Sequence, residues 1–180
     1  VIVGAGAMGR LHVELALACH PRLVVVADFI EERLELVKRL FAARARQSGV
    51  DLITFNPGKA DLKAFVNEQS HYLGADDVII AVGARSAIVD AMNYLGQGAV
   101  LNLFGGLKKG DEVVGLDTLA IHYKSINVTG SSGGSPWDIA RTLELMASGE
   151  IDPGVHITRI GDLEHAIELL KMVKAQQIDG

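Results

Sequence analysis

The sequence contains very little cysteine, and this scarcity excludes several kinds of site. Cys19 is the only cysteine among 180 residues. A single thiol cannot close an intrachain disulfide, and it cannot supply a cysteine-rich metal centre. The composition therefore favours a reducing compartment, and we expect an intracellular, cytoplasmic protein.

The chain also lacks an excess of positive charge and a long apolar run. Its formal net charge is −5 at pH 7, whereas nucleic acid binding requires a basic surface, so no nucleic acid partner is expected. No apolar run approaches the roughly 20 residues that a helix needs to span a bilayer, so no membrane partner is expected. With 49% hydrophobic and 22% charged residues, the chain has the composition of an ordinary globular domain.

Short β-branched runs alternate along the chain with stretches of helical periodicity. The predicted strands are residues 1–3, 23–27, 52–55, 78–82, 99–104 and 125–129. The predicted helices are residues 8–19, 31–46, 61–73 and 87–95, the last capped by Ser86. Several strands lack polar alternation, as strands buried on both faces do. The alternation predicts the α/β class, with a doubly wound parallel sheet in a single domain over residues 1–180.

The C-terminal part of the sequence has helix signals of a different kind. Ser135 stands at a cap position, Pro136 at the first helical position and Asp138 in the first turn, which predicts a helix running to Gly149. Asp162 is predicted to start another helix. Residues 178–180 resemble the approach to one more strand.

The first predicted strand runs into a glycine-rich turn of the form G-x-G-x-x-G. Gly4 allows the tight turn, Gly6 lets the backbone approach a pyrophosphate, and Gly9 lets the following helix pack against the strand. That helix directs free N–H groups and the positive end of its dipole towards the phosphates. We therefore predict a Rossmann dinucleotide-binding fold, with Ala7 and Met8 completing the turn. The alternative is an α/β protein whose turn binds another ligand, such as S-adenosylmethionine.

The second predicted strand ends at Asp28, at the usual distance from the glycine turn for the acid that binds the adenosine ribose hydroxyls. A carboxylate there repels a 2′-phosphate, so NAD is favoured over NADP. Arg33 complicates this prediction because it could reach such a phosphate. It could also pack beside the adenine or pair with Asp28 or Glu32.

With these motifs in place, nearly the whole chain resembles the cofactor-binding domain of the medium-chain zinc-dependent dehydrogenases, the group of alcohol, sorbitol and threonine dehydrogenases. The resemblance rests on VIVGAGAMG, VVVADFIEERLELVKRL and ADDVIIAVGARSAIVDAMNYLGQGAVLNLFGG. It also rests on KSINVTGSSGG, LELMASGEIDP and ITRIGDLEHAIELL, which are more specific to the family. The segments LNLFGG and GDLEHAIELL are similar to those of polyol and ketose-phosphate reductases.

The resemblance implies that this domain was excised from a longer chain with an N-terminal catalytic domain. In the family that domain holds the catalytic zinc through a Cys, a His and an acidic residue, so zinc is expected only there. Cys19 and the scattered histidines, including His12, do not show the spacing of a metal site. No catalytic or metal-binding residue is therefore expected in this chain, which alone should be inactive.

The resemblance also assigns cofactor contacts at the ends of two later strands. One segment lies beside the adenosine and nicotinamide riboses, and the other meets the nicotinamide carboxamide. The segments are, in that order, Ala81, Val82 and Gly83, and Leu103, Phe104 and Gly105. The implied role is to hold NAD for hydride transfer with an alcohol, polyol or sugar phosphate. Residues 125–129 resemble the edge strand through which the family forms homodimers or higher oligomers.

Two other functions remain open at the level of the sequence. A cofactor domain of the glucose-fructose oxidoreductase type shares the opening GAGAMGRLH, but it needs a Glu-Lys-Pro near the fourth strand, which this sequence lacks. A non-catalytic dinucleotide sensor would use the same glycine turn to control a partner protein.

Overall fold

The computed structural model describes residues 1–157 and 159–175, so the strand predicted near residues 178–180 lies outside the described part. The chain divides into two compact units, Val1–Gly133 and Gly134–Gly180. The first unit contains a six-stranded sheet in the order β3-β2-β1-β4-β5-β6, and every neighbouring pair of strands is parallel. This is the strand order of a doubly wound Rossmann sheet, and the predicted fold class is confirmed.

The strands and helices of the first unit alternate along the chain. Its strands are β1 (Ile2–Val3), β2 (Leu23–Ala27), β3 (Asp51–Phe55), β4 (Ala75–Ile80), β5 (Leu95–Leu103) and β6 (Asn127–Gly130). Its helices are α1 (Ala7–Ala18), α2 (Glu31–Gln47), α3 (Leu62–Gln69), α4 (Arg85–Ala91) and α5 (Thr118–Lys124). From β1 the chain adds strands towards one edge of the sheet, and from β4 it adds them towards the other edge. Ligands of open parallel sheets bind at the carboxyl ends of the strands beside such a switch point.

Apolar packing and one ion pair hold the first helices in place. The core includes Val26 of β2 and Val37 of α2, both without measurable exposure. Arg44 of α2 donates to Glu14 of α1 over 2.7 Å, and Glu14 is almost completely buried. This charge-assisted hydrogen bond joins the two helices directly. Helix α1 follows the glycine turn, and α2 follows the short segment after Asp28.

The boundary between α4 and β5 differs from the prediction. Ser86 was expected to cap this helix, but Ala84 is the N-cap residue and α4 begins at Arg85, without a side-chain cap. The helix ends at Ala91 because the following turn leads into β5, where Leu95 pairs with Ala75 of β4. This long-range pairing overrides the helical periodicity of the segment.

The edge of the sheet also differs from the prediction, since the expected strand over residues 125–129 starts two residues late, as β6. The missed helix α5 precedes it, capped by Asp117, whose side chain accepts from the Ala120 N–H. Ser125 ends α5 in the left-handed conformation, at φ 54°. Ile126 is still bonded back to Ile121, so neither residue extends the ladder with β5.

The second unit contains α6 (Pro136–Ala147), a 3₁₀ helix (Pro153–His156) and α7 (Ala166–Lys174). The predicted start of α6 is confirmed: the Ser135 hydroxyl accepts from the Asp138 N–H, and the Asp138 carboxylate accepts from the Ser135 N–H. The predicted start of the last helix at Asp162 is wrong. Asp162 accepts from the His165 N–H in a turn that precedes α7.

Within the described residues, every helix is too short or too polar to span a bilayer.

Candidate cofactor-binding site

The glycine turn between β1 and α1 requires glycine at two of its three positions. Gly4 has φ of 104° and donates its N–H to the carbonyl of Ala27 on β2, over 2.8 Å. A β-carbon on Gly9 would lie 1.8 Å from the carbonyl oxygen of Gly4. The turn and the first helical turn are therefore in direct backbone contact, which only glycine permits.

Gly6 differs from the other two glycines because the described residues leave the space beside it open. Apart from its chain neighbours, no described heavy atom lies within 4 Å of the point where its β-carbon would stand, and its φ of −67° is open to other residues. A glycine that neither its own conformation nor its neighbours demand leaves room for a ligand to approach the backbone. This is the position that the motif assigns to the pyrophosphate.

The amino end of α1 is suited to an anion. Gly6 is its N-cap residue and makes no side-chain cap, and the first turn contains no acidic residue. The N–H groups of Ala7 and Met8 belong to the first turn, which has no intrahelical acceptors. The end of α1 therefore presents donors and the positive pole of the helix to the open space beside Gly6.

Asp28 lies directly after β2, and both of its carboxylate oxygens are held. Oδ2 accepts from the Ala5 N–H of the glycine turn over 2.8 Å, and Oδ1 accepts from the Ile30 N–H over 2.9 Å. The side chain is 9% exposed. Each oxygen can accept a second hydrogen bond, so the carboxylate can receive ribose hydroxyls without giving up its own partners.

Arg33, in the first turns of α2, pairs with Asp28. Its Nη1 lies 3.7 Å from Oδ2 of Asp28, and its side chain is 31% exposed. Of the roles that the sequence left open for Arg33, the structure therefore places it beside the carboxylate. The pair leaves part of the guanidinium exposed at the same edge of the sheet.

A polar network that the sequence analysis missed joins the loops after β2 and β3. Asn56 Nδ2 donates to the carbonyl of Phe29 over 3.1 Å and to Oε1 of Glu31 over 2.6 Å. Lys59 Nζ lies 2.7 Å from the same Glu31 oxygen. The bonds from Lys59 and Asn56 lower the pKa of the Glu31 carboxyl. Phe29, directly after Asp28, is left largely exposed above these loops.

The segments that follow β4 and β5 contact each other through their backbones. Gly105 donates its N–H to the carbonyl of Ile80 over 2.6 Å, and a β-carbon on Gly105 would lie 2.6 Å from the carbonyl carbon of Val82. A β-carbon on Gly83 would lie 2.5 Å from the Gly106 oxygen. Both glycines are therefore required for the two strand ends to approach each other.

These contacts bring most of the predicted residues to one edge of the sheet. The Ala81 N–H donates to the carbonyl of Val3, immediately before Gly4, so the end of β4 borders the glycine turn. Asp28 reaches the same turn through Ala5. The glycine turn, Asp28, Arg33 and the two strand ends thus surround the carboxyl ends of the parallel strands.

His12 has a neighbour that the sequence did not reveal. Its imidazole lies edge-to-face with the Phe104 ring, with ring centroids 4.4 Å apart and an interplanar angle of 86°. Its Nε2 is buried without a hydrogen-bond partner among the described residues. Burial lowers the pKa of this imidazole. No local sequence pattern signals a contact between α1 and the end of β5.

In the described ranges 1–157 and 159–175, no group of three or more His, Cys, Asp or Glu side chains could hold a metal ion. The described residues therefore do not fit a zinc site.

Comparison with protein families gives one match across most of the chain. Residues 7–148 match the model of a family described as zinc-binding dehydrogenase. The match includes the whole of α1, Asp28 and the ends of both β4 and β5.

Individual relatives extend this result. The chain is 32% identical over 170 residues to mannitol-1-phosphate 5-dehydrogenase of Aliivibrio fischeri, covering 90% of this chain and 39% of that protein. A short chain alcohol dehydrogenase, RspB, of Escherichia coli CFT073 complexed with NADH has a TM-score of 0.80 at 22% identity, covering 99% of this chain and 49% of that one. A zinc-binding dehydrogenase of Sinorhizobium meliloti bound to NADP has a TM-score of 0.77 at 23% identity, covering 94% and 47%. The chain thus spans between about two fifths and one half of the length of these proteins.

Proposed function

The chain belongs to the zinc-binding dehydrogenase family, and we propose that it is the NAD-binding domain of a longer alcohol or polyol dehydrogenase. In this proposal residues 1–180 form a single functional domain, and the catalytic zinc lies in a part of the protein outside this sequence. The role proposed for this chain is to bind and orient the dinucleotide.

The observation that carries the proposal is the combination of Gly6 and Asp28. The space beside Gly6 is open, at the amino end of a helix without a side-chain cap. Asp28 is held by the same turn, through the N–H of Ala5. A pyrophosphate beside Gly6 and a ribose at Asp28 would occupy neighbouring positions, as the two parts of one dinucleotide require.

The pairing of Asp28 with Arg33 supports NAD over NADP. The carboxylate repels a 2′-phosphate, and the guanidinium that could attract one is already 3.7 Å from Asp28 Oδ2. Solved relatives of the same fold hold NADH in one case and NADP in the other. The preference therefore rests on these two side chains of this chain.

The remaining cofactor contacts are proposed at the ends of β4 and β5. Ala81, Val82 and Gly83 would lie beside the riboses, and Leu103, Phe104 and Gly105 would meet the nicotinamide carboxamide. Bound NAD would supply the hydride acceptor, and the backbone of these segments would fix its nicotinamide end. The name of the Aliivibrio fischeri relative supports a polyol or sugar phosphate as the substrate class.

We further propose a homodimer formed through β6. This strand pairs with β5 on one side, and all four of its residues are exposed. Among the described residues β6 is the outermost strand of the sheet, and such an edge strand can pair with a second strand and extend the sheet across two chains.

Calorimetric titration of the 180-residue chain with NADH, NADPH and S-adenosylmethionine tests the cofactor assignment. We expect weak but measurable heat with NADH, a lower affinity for NADPH and no binding of S-adenosylmethionine. If S-adenosylmethionine bound and NADH did not, the turn would serve another ligand and the proposal would be wrong.

A further inference from the structure

We propose that His12 is a positioning residue for the nicotinamide half of the cofactor and that it acts through Phe104. The inference rests on the proposed function, because it takes the segment around Phe104 as the one that meets the carboxamide. His12 itself lies on α1 and contacts Phe104, so the proposal requires no contact between His12 and the cofactor.

The backbone around Phe104 is fixed independently of its side chain. Leu103, before it, pairs with Ile80 in the ladder between β4 and β5. Gly105, after it, donates its N–H to the carbonyl of Ile80 over 2.6 Å. These bonds determine where the segment runs, whereas the direction of the Phe104 ring depends on what packs against it.

His12 supplies that packing. The two rings meet edge-to-face at a centroid distance of 4.4 Å and an angle of 86°, which is a favourable geometry for aromatic pairs. This contact connects α1 to the end of β5, and α1 begins at the glycine turn. Movement of the imidazole would therefore shift the Phe104 ring relative to the glycine turn.

A polar ring nitrogen of His12 lies beside a cleft. Its Nε2 is buried without a partner among the described residues, and the same holds for Asn102 Oδ1 on β5. Both side chains line one cleft of about 390 Å³ beside α1. Burial favours the uncharged ring, which is the form suited to packing against Phe104.

The test compares NADH with ADP-ribose, which lacks the nicotinamide ring. We expect His12→Ala to weaken NADH binding by roughly fivefold, the size of one lost aromatic contact. The affinity for ADP-ribose should stay within about twofold, because the glycine turn and Asp28 are untouched. His12→Phe keeps a ring against Phe104 and should restore the NADH affinity. Leu15→Ala, on the same helix and lining the same cleft, is the matched control and should leave the ratio of the two affinities unchanged.

Several results would overturn the inference. If H12A weakened both ligands equally, His12 would act only on the fold of α1. An unchanged NADH affinity in H12A would show that the position of Phe104 does not depend on His12. A wild-type chain that binds NADH no better than ADP-ribose would show that the Phe104 segment does not hold the nicotinamide half. If H12A does not fold, His12→Met fills the space without a ring. This variant is also expected to weaken NADH binding while keeping the affinity for ADP-ribose. Failure of the wild-type chain to bind ADP-ribose would instead contradict the proposed function.

Discussion

A β-carbon on Gly9 would lie 1.8 Å from the carbonyl oxygen of Gly4, so the third glycine of the turn is a requirement of the fold. Gly6 lies between them, and among the described residues other than its chain neighbours no atom lies within 4 Å of the point where its β-carbon would stand. The motif thus contains glycines of two kinds. One kind is needed for the backbone of the helix to contact the backbone of the turn, and the other leaves space for a ligand beside the backbone.

This difference predicts that two alanine substitutions will change the free energy of unfolding by very different amounts. Gly9→Ala forces a methyl group into backbone that cannot move aside, and should lower the free energy of unfolding by about 2 kcal/mol or more. Gly6→Ala should change it by less than about 1 kcal/mol, because its φ of −67° suits alanine. Urea unfolding followed by circular dichroism measures both values. Equal destabilisation would mean that Gly6 is also structural.

The second prediction concerns cofactor preference. Asp28→Ala removes both the ribose acceptor and the charge that repels a 2′-phosphate, and it frees Arg33. We expect the ratio of NADPH to NADH dissociation constants to fall roughly tenfold or more, as expected for hydrogen bonds to a charged group.

The variant Asp28→Ala/Arg33→Ala is the control for the freed guanidinium. It should bind NADPH more weakly than Asp28→Ala alone, because the Arg33 guanidinium is then no longer offered to the phosphate. A ratio that does not move in the single variant would show that Asp28 does not lie at the ribose.

The third prediction concerns assembly through β6. Val128, 39% exposed on this edge, is replaced by lysine, since a charge on an edge strand opposes pairing with a second strand. Light scattering should show a dimer for the parent chain and a shift to monomer for Val128→Lys. Val113→Lys adds the same charge at an exposed valine outside every strand, and should stay dimeric. A monomeric parent chain would disprove the proposed interface.

The fourth prediction is an acid-sensitive stability that comes from His12. Burial lowers the pKa of this imidazole below its ordinary value of 6.5. The unfolded chain therefore takes up the proton at a higher pH than the folded chain, and the free energy of unfolding falls as the pH drops below about 6.5. His12→Gln should lose part of this decrease.

Urea unfolding at about pH 7.5 and about pH 5.5 measures the effect for the parent, for His12→Gln and for the control His122→Gln, which alters an exposed histidine. We expect the His122 variant to follow the parent chain. If His12→Gln lost as much stability on acidification as the parent, the acid sensitivity would arise at other groups.

Much of the site was predictable because its signals are local. Gly4, Gly6 and Gly9 are defined by spacing within one turn, and Asp28 by its place at the end of a β-branched run. The fold class followed in the same way, since strands buried on both faces are recognisable from short apolar segments.

The features that the sequence did not reveal depend on contacts between distant segments. Leu95 was assigned to a helix because its pairing with Ala75 cannot be seen in local periodicity. The contact between His12 and Phe104 joins α1 to the end of β5. Arg33 had several possible partners, and only the folded position of Asp28 decides among them.

The most direct test of the account is the affinity for NADH of the parent chain and of Gly6→Ala, measured by calorimetry at matched stability. The account predicts heat of binding for the parent chain and a loss of at least roughly tenfold in affinity for Gly6→Ala, whose methyl group fills the space proposed for the pyrophosphate. The free energies of unfolding of the two proteins should differ by less than about 1 kcal/mol. Equal NADH affinity in two equally stable proteins would contradict the claim that this turn holds the dinucleotide.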